Sequence, residues 1–445
     1  MAAPPVQAHV RRDPESTRKL IGWITYGVLF AVGAFLLFAL FILAPLFDPD
    51  PGSQYYYMGI GALWAMPLLL VYLWVPWIVD RYDPEPTWAL LTVLAWGGIA
   101  ACGFSAAINT AIGSTAAMLG GKDFGSFVGA CFSAPLVEEF WKGFAVFWMF
   151  YFRKRDFDGI VDGVIYGAFV ALGFAAVENI IYYGRAIEAE DVKGAQDALL
   201  GTVLVRGVLA PWGHPLYTAM TGIGFGLARE SNKGWVKWLG PIGGYFLAVF
   251  LHFVWNLAAT IHSALVLIML PLWFLFVLAF AGLVVWCVRR KGIIIRDHLK
   301  DEVLMGNLTQ AELDMVASPI GRIRATFSFG GATGRKFVDS AARLALSKWH
   351  TGRATQGRKA TISADFVVPL RQDLHKIRAE VSRALGRQVP QPQVWMPPPS
   401  PYAQQHQQQQ QQHPHVHPPG PPGGYNPQGG GGGGYGGGGG GYGPR

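Results

Sequence analysis

The amino-acid sequence predicts an all-α fold, a polytopic membrane helix bundle of about eight transmembrane helices, followed by a cytosolic partly helical region and a disordered low-complexity tail. Three observations predict it. Hydrophobic residues make up 51% of the 445 positions and charged residues only 14%, against about 25% charged in ordinary soluble proteins. The apolar residues fall in long blocks, each near the roughly 20 residues that a helix needs to cross a bilayer. After Lys291 the blocks stop and the composition becomes mixed and charged. The net charge of +8 comes from basic residues at the ends of the blocks. No basic recognition module accompanies it, so no nucleic-acid partner is expected.

Residues 1–20 are polar and basic. The apolar run that follows, 21–44, is too long for a signal-peptide core and lacks a clean small-x-small cleavage site, so it reads as an uncleaved first span. Further spans are expected at 57–79, 88–112, 127–152, 159–184, 201–227, 238–261 and 264–288. One set of flanks carries Arg11, Arg12, Arg18 and Lys19, then Arg81, then 153–155, then Arg229, Lys233 and Lys237, then 289–291. The other set carries only Lys122, Arg185 and Lys193. The positive-inside rule therefore puts both termini in the cytoplasm. The membrane core spans 21–290, and a cytosolic mixed region covers 291–389 with amphipathic patches at 301–316 and 371–385. Two basic stretches containing Gly and Thr interrupt that region. Residues 390–445 are rich in Pro, then Gln and His, then Gly, a composition that cannot bury a core. Cys102, Cys131 and Cys287 lie inside apolar segments without CxxC spacing, so they read as packing residues.

The polar residues within the spans are costly and therefore informative. The fourth span holds Glu138, Glu139 and Lys142, the only ionisable side chains between Phe127 and Phe152. On a helix, the lysine reaches either carboxylate. The fifth holds Asp162, Glu178 and Asn179, the sixth Arg206 and Pro211-Trp212-Gly213-His214-Pro215, and the seventh His252 and Asn256. With the fourth and sixth spans entering from outside and the fifth and seventh running outward, Glu139, Glu178, His214 and His252 fall within about 10 Å in depth at 1.5 Å per residue. Glu178 and Asp162 could instead line water or pair with Arg206, and Asn179 and Asn256 could tie helices together.

That layer suits hydrolysis. A carboxylate shielded from bulk water can serve as general base toward a water molecule. A divalent ion held by histidine and carboxylate would lower the pKa of that water further. His252 and Asn256, four apart, can face one ligand or a developing oxyanion. Pro211 and Pro215 flank His214 and should break the sixth helix there, an irregularity tolerated at depth where it lines a cavity. No HExxH or GxGD motif occurs, and Gly103-Phe104-Ser105-Ala106 lacks the last glycine of GxSG. A proton-coupled transporter would use the same residue types, but no inverted repeats are visible and the polar groups concentrate in spans four to seven. A non-catalytic membrane scaffold is the third reading.

Taken together, Asp80-Arg81-Tyr82-Asp83-Pro84-Glu85-Pro86, Glu138-Glu139-Phe140-Trp141-Lys142, Phe174-x-x-x-Glu178-Asn179, His214 with Thr218 and Gly222, and His252-x-x-Trp255-Asn256 resemble the PrsW family of intramembrane proteases. That family is distantly related to the CAAX-processing and Abi proteases. The resemblance covers about residues 60–290. Lys142 replaces an arginine one position earlier than in the wider superfamily, and Glu178 stands where a histidine would be. The resemblance implies cleavage of membrane-anchored proteins, anti-sigma factors among them, in a bacterial cell membrane. It implies Glu138 or Glu139 as base with Lys142 holding the pair, and Glu178, His214 and His252 as metal ligands or transition-state stabilisers. Asn256 would be an orienting or oxyanion group. The metal would be divalent, zinc first, and a metal-free glutamate mechanism with the same residues is chemically possible.

Overall fold

A computed structural model describes residues 14–80, 84–154, 156–356 and 364–386. The first thirteen residues, the middle of the Asp80–Pro86 motif, Arg155 and the low-complexity segment 390–445 lie outside the described residues. Every described element is helical, as expected.

Among the described residues, six helices are long and apolar enough to cross a membrane. Helix α1 (Pro14–Phe38) continues through a π-helical stretch, Ala39–Leu43, and a 3-10 turn to Phe47. Helix α2 is Pro51–Asp80, and α3 is Thr87–Gly120 with a π-helical stretch at Trp96–Ala101. The others are α5 (Ile160–Lys193), α8 (Gly234–Ile261) and α9 (Ser263–Leu304). Two expected spans are not among the six: α4, residues 122–152, whose apolarity is lowered by its charges, and the sixth span, which is broken into α6, residues 198–209, and α7, Gly213–Glu230. Glu138, Glu139 and Lys142 lie on α4 and Arg206 on α6.

Helix α5 is the axis of the bundle. Its most apolar window is 83% buried, against 6% for α1, as expected of a helix that is hydrophobic all round. Glycines let its neighbours approach at backbone distance. A Cβ at Gly97 would stand 1.9 Å from the Val170 carbonyl oxygen, and one at Gly61 2.4 Å from that of Ile180. Against α7 the contact is reciprocal: a Cβ at Gly163 would meet the Gly222 oxygen at 2.1 Å, and one at Gly222 the Gly163 oxygen at 1.9 Å. With Gly226 one turn on and also against α5, this is small-xxx-small packing, which replaces the hydrophobic drive that lipid cannot supply.

The sixth span does break, but one turn earlier than its two prolines suggest. The chain leaves helical geometry at Ala210 (φ −128°, ψ 39°) and restarts at Gly213. Pro215 lies in the first turn of α7, where its missing N–H has no helical acceptor to lose. It therefore starts a helix and does not interrupt one.

Lys291, where the composition changes, lies inside α9, which runs unbroken to Leu304. Helices α10 (Gln310–Val316), α11 (Pro319–Ser328), α12 (Ala332–Gln356) and α13 (Ala364–Ala384) follow. The first expected interruption reduces to a Gly330-Gly331 turn with φ of 84° and 63°. A separate apolar core joins Ile295 and Leu299 of α9 to Leu313, Phe337, Leu344 and Leu374. Lys291 reaches back to Asp162 at 3.3 Å and Asp158 at 3.7 Å, and His350 lies 3.7 Å from Asp158. These contacts tie α9 and α12 to the start of α5. The three cysteines are free and buried, as read from their surroundings.

Two outcomes follow from this packing. Replacing Gly222 by alanine forces a backbone shift and should cost at least about 1–3 kcal/mol. A lower midpoint in thermal unfolding would register it. Gly27→Ala is the silent control, since its Cβ meets nothing within 4 Å. The second outcome concerns Glu302. Burial alone would raise its pKa, but hydrogen bonds from Arg371, Asn307 and Lys348 outweigh that and lower it from 4.5 to about 2. Its contribution is complete above pH 4.5 and is lost as pH falls through about 2. Hydrogen exchange of α10–α13 should accelerate across that window, and Glu302→Gln should abolish this part of the pH dependence.

Candidate active site

The cluster starts from α4. Glu138 and Glu139 share one turn and Lys142 lies on the next, and all three are buried. The Lys142 ammonium lies 2.6 Å from Glu139 Oε1 and 3.7 Å from Glu138 Oε2. Two carboxylates this close would repel each other and lose hydration, so the cation between them is what makes their burial tolerable.

The two glutamates differ in their surroundings. Glu139 receives the Thr218 hydroxyl on Oε2 at 2.8 Å, and His252 Nδ1 on Oε1 at 3.1 Å, in addition to Lys142. Glu138 has a weak contact from Asn109 Nδ2 on Oε1 at 3.4 Å, and its Oε2 is buried with no hydrogen-bond partner. That atom lies 3.9 Å from His252 Nε2.

Each histidine is backed by a carboxylate. His252 gives Nδ1 to Glu139, and His214 gives Nε2 to Glu178 at 2.8 Å. In the neutral rings, these partners put the proton on the nitrogen that faces each carboxylate. The opposite nitrogens, His252 Nε2 and His214 Nδ1, then present lone pairs. His214 Nδ1 meets Lys142 Nζ at 3.0 Å, whereas His252 Nε2 faces Glu138 Oε2, one acceptor opposite another. The rings stand 5.0 Å apart and nearly perpendicular, at 87°.

Glu138, His214 and His252 each offer one ligand atom, all within 4.8 Å of one another. Carboxylate–histidine pairs behind the ligand nitrogens are the usual support of a metal site. The orphaned Glu138 Oε2 and the His/His/Glu donor set fit a divalent ion, with modest closure to the ~2.0–2.2 Å bonds of zinc.

Of the residues expected from the sequence, Glu138, Glu139, Lys142, Glu178, His214 and His252 form one network. Arg206 extends it, pairing with Glu178, donating from Nε to Asn179 Oδ1 at 2.9 Å and stacking on Tyr182 at 3.8 Å. Glu178 thus stands behind His214, bound to Arg206, while Glu138 completes the three-atom group. Asn256 Nδ2 donates one hydrogen to the Ala130 carbonyl at 2.8 Å. Asp162 does not meet Arg206. It accepts from the amides of Asp158 and Gly159 at 2.6 and 3.0 Å, at the start of α5. The Glu85 carboxylate accepts from Tyr166 at 2.5 Å, which holds Glu85 against α5.

Sequence reasoning missed a chain behind Glu138. Ser133 donates to Asn109 Oδ1 at 2.7 Å, and Asn109 reaches Glu138. The lone asparagine in the apolar third span was the available signal. Ala130 and Ser133 belong to the π-helical stretch Gly129–Ser133 of α4, and Arg206 to another at Val203–Leu209. Such stretches re-aim side chains and gather at functional sites.

Removing the cation should expose this balance. Lys142→Met leaves two buried carboxylates unpaired, and the expected loss of stability is about 3–5 kcal/mol. Adding Glu139→Gln to it should recover much of the loss. Thermal unfolding of both variants measures the coupling.

Residues 85–285 match the model of the PrsW family of intramembrane metalloproteases. Three curated relatives, each named Protease PrsW, align with parts of the chain. The protein from Geobacillus kaustophilus is 35% identical over 127 residues, 28% of this chain and 50% of the relative. That from Bacillus subtilis is 32% identical over 165 residues, 37% of this chain and 66% of the relative. That from Halalkalibacterium halodurans is 31% identical over 165 residues, 36% and 65%. The chain therefore spans between half and two thirds of these relatives. No solved structure matches. Every residue of the cluster, from Asn109 to His252, falls within the matched stretch.

Proposed function

We propose that this chain, similar to PrsW proteases over residues 85–285, is an intramembrane endopeptidase that cleaves membrane-anchored proteins. The observation that carries the reading is the buried Glu138 Oε2, which has no hydrogen-bond donor and faces the His252 Nε2 lone pair, with the Lys142 ammonium 3.7 Å away. Two buried acceptors face to face are unfavourable unless a cation or a proton lies between them. A divalent ion, zinc by the donor set, would be held by Glu138, His214 and His252, and would lower the pKa of a water and polarise the scissile carbonyl. Glu139 keeps His252 in its tautomer, and Glu178 does the same for His214. Lys142 and Arg206 neutralise those two backing carboxylates.

A metal-free reading is favoured by one contact, Lys142 Nζ on His214 Nδ1 at 3.0 Å, where a side-chain cation already faces a ligand nitrogen. There Glu138 takes the proton of the attacking water and returns it to the leaving amine. In both readings Glu138 meets the water, and Glu139, held by three donors, orients.

The break at 210–212 beside His214 offers a substrate segment a place to unwind, as peptide hydrolysis requires. The basic flanks support an orientation with both termini in the cytoplasm of a bacterial cell, and anti-sigma factors are the substrate type that the family resemblance suggests.

A reconstituted preparation with a tethered transmembrane reporter tests the reading. Glu138→Gln should lower cleavage by at least about 100–10,000-fold, the usual weight of a general base, with insertion and unfolding midpoint unchanged. Cleavage by Glu138→Gln at the wild-type rate would remove the proposal.

A further inference from the structure

Tyr217 is the residue of this cluster whose chemistry nothing above uses. It follows His214 by three positions on α7, and its side chain is 2% exposed. Its ring lies flat on His252 at 5.1 Å and 19°. Trp273 packs edge-on at 5.5 Å, and the His214 ring stands at 6.1 Å and 75°. Held on three sides, the ring has no room to turn. Its hydroxyl is buried and has no hydrogen-bond partner.

An unsatisfied buried hydroxyl costs about 1–3 kcal/mol. Phenylalanine would pack the same ring without that cost, so packing does not explain the tyrosine. The direction of the hydroxyl does. Side chains on a helix lean toward its N-terminus, and the Tyr217 oxygen would lie 3.4 Å from a Cβ at Gly213, the first residue of α7. The glycine leaves that space open.

The start of α7 also presents an unused donor. No side chain caps it. Its Gly213 and Leu216 amides bond the carbonyls of Ala210 and Trp212, and Pro215 has no amide. The His214 amide has no backbone acceptor among the described residues. A helix N-terminus favours negative charge on an acceptor placed there. A buried, unpartnered hydroxyl aimed at it adds a fixed donor beside the two histidines.

We infer that the Tyr217 hydroxyl, with the start of α7, forms an oxyanion subsite that binds the scissile carbonyl of an unwound peptide segment. The inference rests on the peptidase reading above and deepens it. As the carbonyl carbon becomes tetrahedral, its oxygen gains charge and the phenolic O–H donates to it, with no proton transferred. Donors so placed act on the transition state more than on the bound substrate.

Tyr217→Phe in the full chain tests it, with a tethered transmembrane peptide as substrate. The expected result is a fall in kcat of about 100–1,000-fold, the weight of one oxyanion donor, with KM unchanged. The unfolding midpoint should stay level or rise, because the variant removes an unsatisfied polar atom. Wild-type kcat in Tyr217→Phe would overturn the inference. So would a fall in midpoint that accompanies the fall in rate, which would mean that the hydroxyl supports the fold. Absence of cleavage by the wild type itself is a separate result: it removes the peptidase reading, and this subsite with it.

Discussion

The structure depends on one arrangement of charge, the Lys142 ammonium between Glu138 and Glu139, with the pair to Glu139 wholly buried. Transferring such groups from water into a bundle is costly. The sequence meets that cost by bringing partners from three other helices. Thr218 and His214 come from α7, His252 from α8 and Glu178 from α5. What remains without a hydrogen-bond partner, Glu138 Oε2 and the Tyr217 hydroxyl, is an acceptor and a donor on two side chains that both lie beside the His252 ring. Peptide hydrolysis needs both, one for the water and one for the carbonyl.

The glycines serve the same arrangement. Polar side chains on four helices meet only if the backbones come close, and lipid provides little drive to bring them together. Gly163 against Gly222, and Gly224 against Gly240, put α5, α7 and α8 in direct contact. That is the sequence of helices that carries Glu178, His214 and His252. The π-helical stretches then adjust azimuth locally, so Ser133 and Arg206 turn toward the network.

Much of this was legible in the sequence, because charge inside an apolar run is rare and depth follows from residue count and orientation. Glu138, Glu139, Lys142, Glu178, His214 and His252 could be set at one level on that basis. Rotation about each helix axis could not be read in the same way, since packing decides it. Asn256 shares the expected face with His252 yet turns to Ala130. Asp162 shares a helix with Glu178 yet binds the amides at the start of α5. Tyr217 gave no signal, because an aromatic in a membrane helix is ordinary until its hydroxyl is found without a partner. Lys291 marks a change of composition within α9, and a helix can pass from lipid-facing to amphipathic without a break.

The central claim is that Glu138, His214 and His252 converge on one cation site whose outer support is Glu139 and Glu178. The most direct measurement is the metal content of the purified protein, wild type beside His214→Ala, His252→Ala and Asn256→Ala. The account predicts one divalent ion per chain in the wild type and in Asn256→Ala, and its loss in both histidine variants. A stoichiometric ion retained after either histidine is removed would contradict it.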